Sequence, residues 1–401
     1  MRTPSYEDLS KEQDKILVLA PLNGATLVTG PPGTGKTVVA FYRAETAAKK
    51  GQDPKLVMFN NVLHRYSGNA SKNKKVQEGI NTWHRWLADW WRSVFGVWLP
   101  EVAPFCPDWG KIIPRTLGLG TNATCSARAF QNWGHLIIDE GQDFATGFYQ
   151  MASVVLTHAS ATSNMNVALT VLADENQRLF PDKNSSITEI ERSLAITADR
   201  HYRLTRNYRN TYEIARAAAH FYCGLRSGIP DLPDGRHGNM PRITRAVDLD
   251  ASVDVVKRFV INQSDLEVGV FLPTKALQIK YFNKLTHRLK DIKGVKVQRF
   301  TSGDTVFGDA TKLEFDRPGV VTVLCDSSCK GLEFDAVFVP ELQARRWDPA
   351  SIDQMRMQFY VLSSRARQHL SYVYSAAQGE SVPILDYFPG RQSGLLEWID
   401  G

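Results

Sequence analysis

Two parallel-sheet α/β domains in tandem are the fold class this sequence predicts, on three observations. The chain has 401 residues, 43% of them hydrophobic, which exceeds the usual size of one domain and can fill two cores. Short β-rich apolar runs recur in both halves, separated by stretches long enough for a helix. One such run leads through a glycine-rich turn into a helical stretch, the sequence form of a phosphate-binding βα unit.

Strands for the first sheet are expected at Ala25 to Thr29, Lys55 to Phe59, His135 to Ile138 and Val167 to Leu172. Those for the second are expected at Val268 to Leu272, Val295 to Phe300, Val320 to Leu324, Ala336 to Val339 and Leu370 to Tyr374. Residues 183–205 read as a polar connector, so the domains are expected at 1–200 and 201–401. Leu225 to Pro241, with its Gly, Pro and Asp clusters, is the clearest loop.

The formal net charge of +6 suits a polyanionic partner without requiring one. Five cysteines form an odd set without a CxxC pair or zinc spacing, so they read as free thiols of a reducing compartment. The first residues lack an apolar signal core, and no run reaches the ~20 apolar residues of a membrane helix. A soluble, cytoplasmic protein without a membrane partner is the expectation.

Gly30-Pro31-Pro32-Gly33-Thr34-Gly35-Lys36-Thr37 fits G-x-x-x-x-G-K-[ST] and lies between a strand and a helix. Its glycines let successive N–H groups turn inward around phosphates, and the helix N-terminus adds positive potential. Lys36 is expected on the β- and γ-phosphates of ATP and Thr37 on Mg²⁺. An acid must share that metal and another group must prepare water. Asp139 and Glu140, ending an apolar strand, are the candidates for ligand and general base. A third strand ends near Gln177, an amide placed to sense the γ-phosphate or orient water.

With these residues in place the chain resembles superfamily 1 helicases of the UvrD, Rep and PcrA type along nearly its whole length. Asp139-Glu140-Gly141-Gln142-Asp143 is similar to that family's DExQD box, and Asn207-Tyr208-Arg209-Asn210 to its NYRS. Cys329-Lys330-Gly331-Leu332-Glu333-Phe334 resembles AKGLEF, and Tyr360 to Arg367 resembles YVALTRAR. The resemblance implies tandem RecA-like P-loop NTPase domains with ATP in the cleft between them. It further implies that Arg209 and Arg365 reach the γ-phosphate, that Tyr208 stacks on adenine and that Glu333 bonds the ribose. Arginine suits the finger role because its planar guanidinium contacts phosphate in bidentate fashion.

Ser10-Lys11-Glu12-Gln13 resembles the family's Q motif, with Gln13 reading the adenine edge; Ser10 and Gln13 also fit a helix capping box. Asn60, Asn61, Thr82 and His84 fall where the family touches the nucleic-acid backbone. Six of the nine tryptophans lie between Trp83 and Trp109, either as a stacking platform or as core. Where the family carries a base-stacking tryptophan after the third strand, this chain has Phe180 as the nearest candidate. The family's two large insertions are reduced to a small aromatic-rich one at about 85–133 and essentially nothing between Phe300 and Val320. The resemblance implies an ATP-driven translocase on a single strand, DNA before RNA. The alternative is a nucleotide-switched module that binds nucleic acid and recruits a partner such as a nuclease.

Overall fold

The computed structural model describes residues 5–58, 73–162, 167–177, 184–301, 304, 306–347 and 349–400. The chain divides into two compact units after Thr205, except that Leu225–Gly228 belongs with the first.

The first unit has strands β1 (Gly24–Thr29), β2 (Pro54–Met58), β3 (Ile80–Thr82), β6 (His135–Ile138), β7 (Ala168–Ala173) and β8 (His201–Arg203) in the sheet order β3-β2-β6-β7-β1-β8. All its pairings are parallel. Strands β6 and β7 are buried along their whole length, so they read as continuous apolar runs rather than alternating ones. A short antiparallel pair, β4 (Glu101–Ala103) and β5 (Cys106–Pro107), stands apart from that sheet.

Its helices are α1 (Lys11–Leu19), α2 (Lys36–Lys49), α3 (Lys74–Gly79), α4 (Trp83–Phe95), α5 (Trp109–Leu117), α6 (Ala123–Trp133), α7 (Thr146–Ala161) and α8 (Ile187–Leu194). Helix α4 places Trp83, Trp86, Leu87, Trp90, Trp91 and Val94 on one stripe, and all six are buried. Its tryptophans pack on Trp133 of α6 and on Phe144 and Phe148. Four of the six clustered tryptophans are therefore core, the second of the two readings, and Trp109 packs partly buried against Phe148 beside them. Trp98 is the exception at 76% exposed, with the Arg92 guanidinium 4.5 Å above its ring.

Residues 183–205 are not merely a connector. They include α8, capped reciprocally by Ser186 and Glu189, and β8, which pairs with β1. The polar composition of this stretch hid a strand that is three residues long and lies at the sheet edge.

The second unit has β9 (Arg242–Ala246), β10 (Val268–Leu272), β11 (Lys296–Arg299), β12 (Val320–Cys325), β13 (Phe334–Val339), β14 (Ala366–Ser375) and β15 (Glu397–Asp400), ordered β11-β12-β10-β13-β14-β9-β15. These pairings are parallel as well. Helices α9 (Tyr212–Ala219), α10 (Leu249–Asn262), α11 (Lys275–Leu289) and α12 (Ile352–Ser363) complete it. Val253, Val256 and Val260 of α10 and Tyr281, Leu285 and Leu289 of α11 join the inward residues of β10, β12 and β13 in one core. The chain thus contains two parallel α/β sheets, consistent with two RecA-like domains.

Candidate nucleotide site

The loop after β1 has the conformation its sequence requires. Gly33 and Gly35 have φ of 82° and 85°, in the left-handed region open to glycine. A Cβ on Gly35 would be strained at that φ and would displace the Gln13 amide from its place against the loop. Gly35 caps α2, whose first residues are Lys36 and Thr37, and the helix N-terminus therefore faces the loop.

Lys36 is buried, and its ammonium donates to the carbonyls of Gly30 at 2.6 Å and Pro31 at 3.1 Å. The carboxylate of Asp174, the first residue after β7, is 3.9 Å from it. Thr34 donates to Pro31 O at 2.9 Å, which closes the loop on itself. Thr37 Oγ1 donates to Asp139 Oδ2 at 2.7 Å, although the two are 102 residues apart. A hydroxyl and a carboxylate so close offer the all-oxygen donor set that a hard divalent cation takes, so the residues present fit Mg²⁺.

Burial and the neighbouring charge of Glu140 push the Asp139 carboxyl up to about 6, against the opposing pull of Thr37 and Lys36. Such an acid gains most from a cation beside it. Glu140 itself is buried, adopts a left-handed backbone with φ of 57°, and accepts from Gln142 Nε2 at 2.7 Å.

Ser10 and Gln13 form the capping box: Ser10 Oγ accepts from Gln13 N at 3.2 Å, and Gln13 Oε1 accepts from Ser10 N at 3.0 Å. The same side chain donates from Nε2 to Thr34 O at 3.1 Å. Gln13 thus joins α1 to the phosphate loop, a contact the Q-motif reading did not anticipate.

Within the second unit the sequence motifs converge on one ionic knot. Arg209 donates to Glu333 Oε1 at 2.5 Å and to Ser364 O at 3.2 Å. Arg367 Nε donates to Glu333 Oε2 at 3.3 Å. Asn210 Nδ2 donates to the carbonyls of Ser364 and Ala366, sewing Asn207–Asn210 to the run 364–367. Burial alone would raise the Glu333 carboxyl, but the guanidiniums of Arg209 and then Arg367 outweigh it and hold the group down at about 2. Arg365 is only 1% exposed, with Nε donating to Val361 O at 3.0 Å. Tyr208 is 38% exposed, and the Arg206 guanidinium lies 5.7 Å from its ring centre.

The expected strand contacts are less well placed. Thr82 is the N-cap residue of α4 and makes no side-chain cap bond. The His84 ring packs tilted against Trp83, centroids 3.8 Å apart, and its Nε2 meets Phe105 O at 3.0 Å. Asn60, Asn61 and Phe180 lie outside the described residues, as does the side chain of Gln177. Among the described residues, the sequence reading gave no role to Asp174 or Gln142. Gln142 lies in the run 139–143 and Asp174 three residues before Gln177, and both are fully buried at a strand end.

Residues 13–180 match a family model described as an AAA domain, under half of the chain. No curated protein matches the chain. Among solved structures, the C-terminal domain of a possible DNA helicase from Lactobacillus plantarum WCFS1 is 21% identical over 48% of this chain and 98% of its own, with a TM-score of 0.34. So loose a superposition carries no argument. The parallel sheet, the loop geometry and the AAA match support a nucleotide-dependent ATPase domain in the first unit. Among the described residues no helix is long and apolar enough to cross a membrane.

Proposed function

We propose that the protein is an ATP hydrolase that translocates on single-stranded nucleic acid, DNA before RNA. The observation that carries the reading is the Thr37–Asp139 hydrogen bond of 2.7 Å beside Glu140 and the loop-bound Lys36. Lys36 and the backbone N–H groups of the loop bind the β- and γ-phosphates. Thr37 and Asp139 would hold Mg²⁺, which when bound screens the charge of the phosphates. Glu140 accepts the proton of the attacking water. The helicase resemblance assigns Arg209 and Arg365 to the charge that develops on the γ-phosphate, and Tyr208 to adenine. In this reading Glu333 restrains Arg209 until a phosphate competes for it.

A second reading, a nucleotide-switched module that licenses a partner such as a nuclease, is favoured by the small size of the extra elements. The stretch from Gly96 to Gly134 contains only the β4–β5 pair, α5, a 3₁₀ turn and α6.

Phosphate release measured with single-stranded DNA, single-stranded RNA and duplex, beside strand displacement on tailed duplexes, separates the two. Translocation expects stimulation by one single-stranded ligand and movement along it. Stimulation without movement favours the switch, and no stimulation by any strand overturns both.

A further inference from the structure

We infer that Gln142 is a positioning residue that aims the Glu140 carboxylate, an inference that rests on Glu140 being the hydrolytic base proposed above. Gln142 is fully buried, and each of its polar groups meets a different segment. Nε2 donates to Glu140 Oε2 at 2.7 Å, and Oε1 accepts from the Asp174 N–H at 2.8 Å. Its backbone carbonyl accepts from Ser185 N at 3.0 Å. One amide therefore ties the base that follows β6 to the residue that follows β7, and that residue's carboxylate is 3.9 Å from Lys36.

The chemistry demanded at position 142 is narrow. The Asp174 N–H needs an acceptor and the Glu140 carboxylate gains from a donor, so one side chain must present both at glutamine's length. Glutamate lacks the donor, lysine the acceptor and methionine both. Of these four, only glutamine satisfies the two neighbours together.

The backbone gives the amide its leverage. Glu140 has φ of 57°, a conformation residues with a Cβ adopt rarely and functional sites retain. The turn is held by Asp143 N donating to Glu140 O at 2.9 Å and by Tyr149 OH donating to Gly141 O at 2.5 Å. Gly141 has no room for a side chain, since a Cβ there would lie 2.4 Å from Val171 Cγ1. With the main chain thus fixed, the remaining freedom of Glu140 is side-chain rotation, which the Gln142 amide restrains. A base must lie within about 3 Å of the proton it takes, so fixing Oε2 sets where that water can stand. Because the same amide holds the Asp174 backbone, the Lys36 side of the site and the base are positioned as one piece.

The test compares Gln142→Met, Gln142→Glu and Glu140→Gln in the full chain. Steady-state ATPase gives kcat and KM, a fluorescent ATP analogue gives affinity, and thermal unfolding reports the fold. Methionine keeps the volume and loses both bonds. It is expected to lower kcat about 10²-fold, the scale of misplacing a reacting group by ~1 Å, with affinity within about threefold of wild type. Gln142→Glu keeps the acceptor for Asp174 and sets a like charge beside Glu140, so its kcat is expected to fall at least as far. A Gln142→Met protein with kcat within about threefold of wild type overturns the inference. So does a kcat loss matched by equal losses in affinity and unfolding temperature, the pattern of a purely structural residue. If Glu140→Gln itself turns over normally, the base assignment fails and the inference falls with it. If Glu140→Gln is inactive while Gln142→Met is not, the inference alone fails.

Discussion

Lys36 is buried with its charge spread over two loop carbonyls and an aspartate, partners that a phosphate can replace. Charge-assisted hydrogen bonds of this kind contribute about 1.5–3 kcal/mol. Lys36→Ala is accordingly expected to weaken ATP binding by about tenfold or more in a fluorescent-nucleotide titration, and unchanged affinity would remove Lys36 from the site. His135, the first residue of the interior strand β6, is fully buried. Its Nδ1 faces the Gln52 Oε1 acceptor at 2.9 Å and so carries the proton, and Thr170 Oγ1, which accepts from Arg43 Nε at 2.7 Å, donates to His135 Nε2 at 2.9 Å. Burial first, then the Arg43 charge, pushes the imidazole down to about 3. The unfolded chain binds the proton near 6.5 and the folded one does not, so stability is intact above about 6.5 and is lost as pH falls toward 3. The loss approaches ~1.4 kcal/mol per pH unit. Urea midpoints across that window should fall less steeply for a folded His135→Gln variant, and identical slopes would show that His135 is not the group responsible.

Helix α4 shows which elements the sequence makes legible. Its tryptophans recur at helical spacing, which is enough to assign them to a core, yet their number invites a stacking role. The structure puts Trp91 at 0% exposure and Trp98, just past the helix, at 76%. Trp91→Ala is expected to cost about 3–5 kcal/mol of stability and Trp98→Ala under about 1 kcal/mol, read as urea midpoints. Equal costs would mean that the stripe is misplaced. The buried central strands were legible because two covered faces demand unbroken apolar runs. Strands β3, β8, β9 and β15 were not. His201–Arg203 and Glu397–Asp400 carry charge on edge strands, and pairing at an edge leaves little compositional trace. The Thr37–Asp139 pair was legible from two motifs, because each strand end in a parallel sheet opens toward the same rim. The bonds of Gln13 to Thr34 and of Gln142 to Asp174 were not, since nothing in local spacing marks a glutamine that reaches across to another segment.

Across the whole molecule, two parallel sheets and a surplus of +6 suit an ATPase that grips a polyanion through its backbone. Such a grip releases counterions, so affinity for oligothymidine should fall log-linearly with salt, at about 0.7 per phosphate neutralised. A binding constant indifferent to salt between about 50 and 200 mM would exclude backbone recognition. The claim on which everything else rests is that Glu140, held beside Asp139 and Lys36, drives ATP hydrolysis under the control of a bound strand. Phosphate release by wild type and Glu140→Gln, each with and without oligothymidine and with nucleotide binding followed in parallel, addresses it directly. Wild type should be stimulated about tenfold or more by the strand, while Glu140→Gln should bind ATP normally and lose at least about 10²-fold in turnover, the contribution of a general base. A Glu140→Gln protein that hydrolyses ATP at the wild-type rate, strand-stimulated or not, would contradict it.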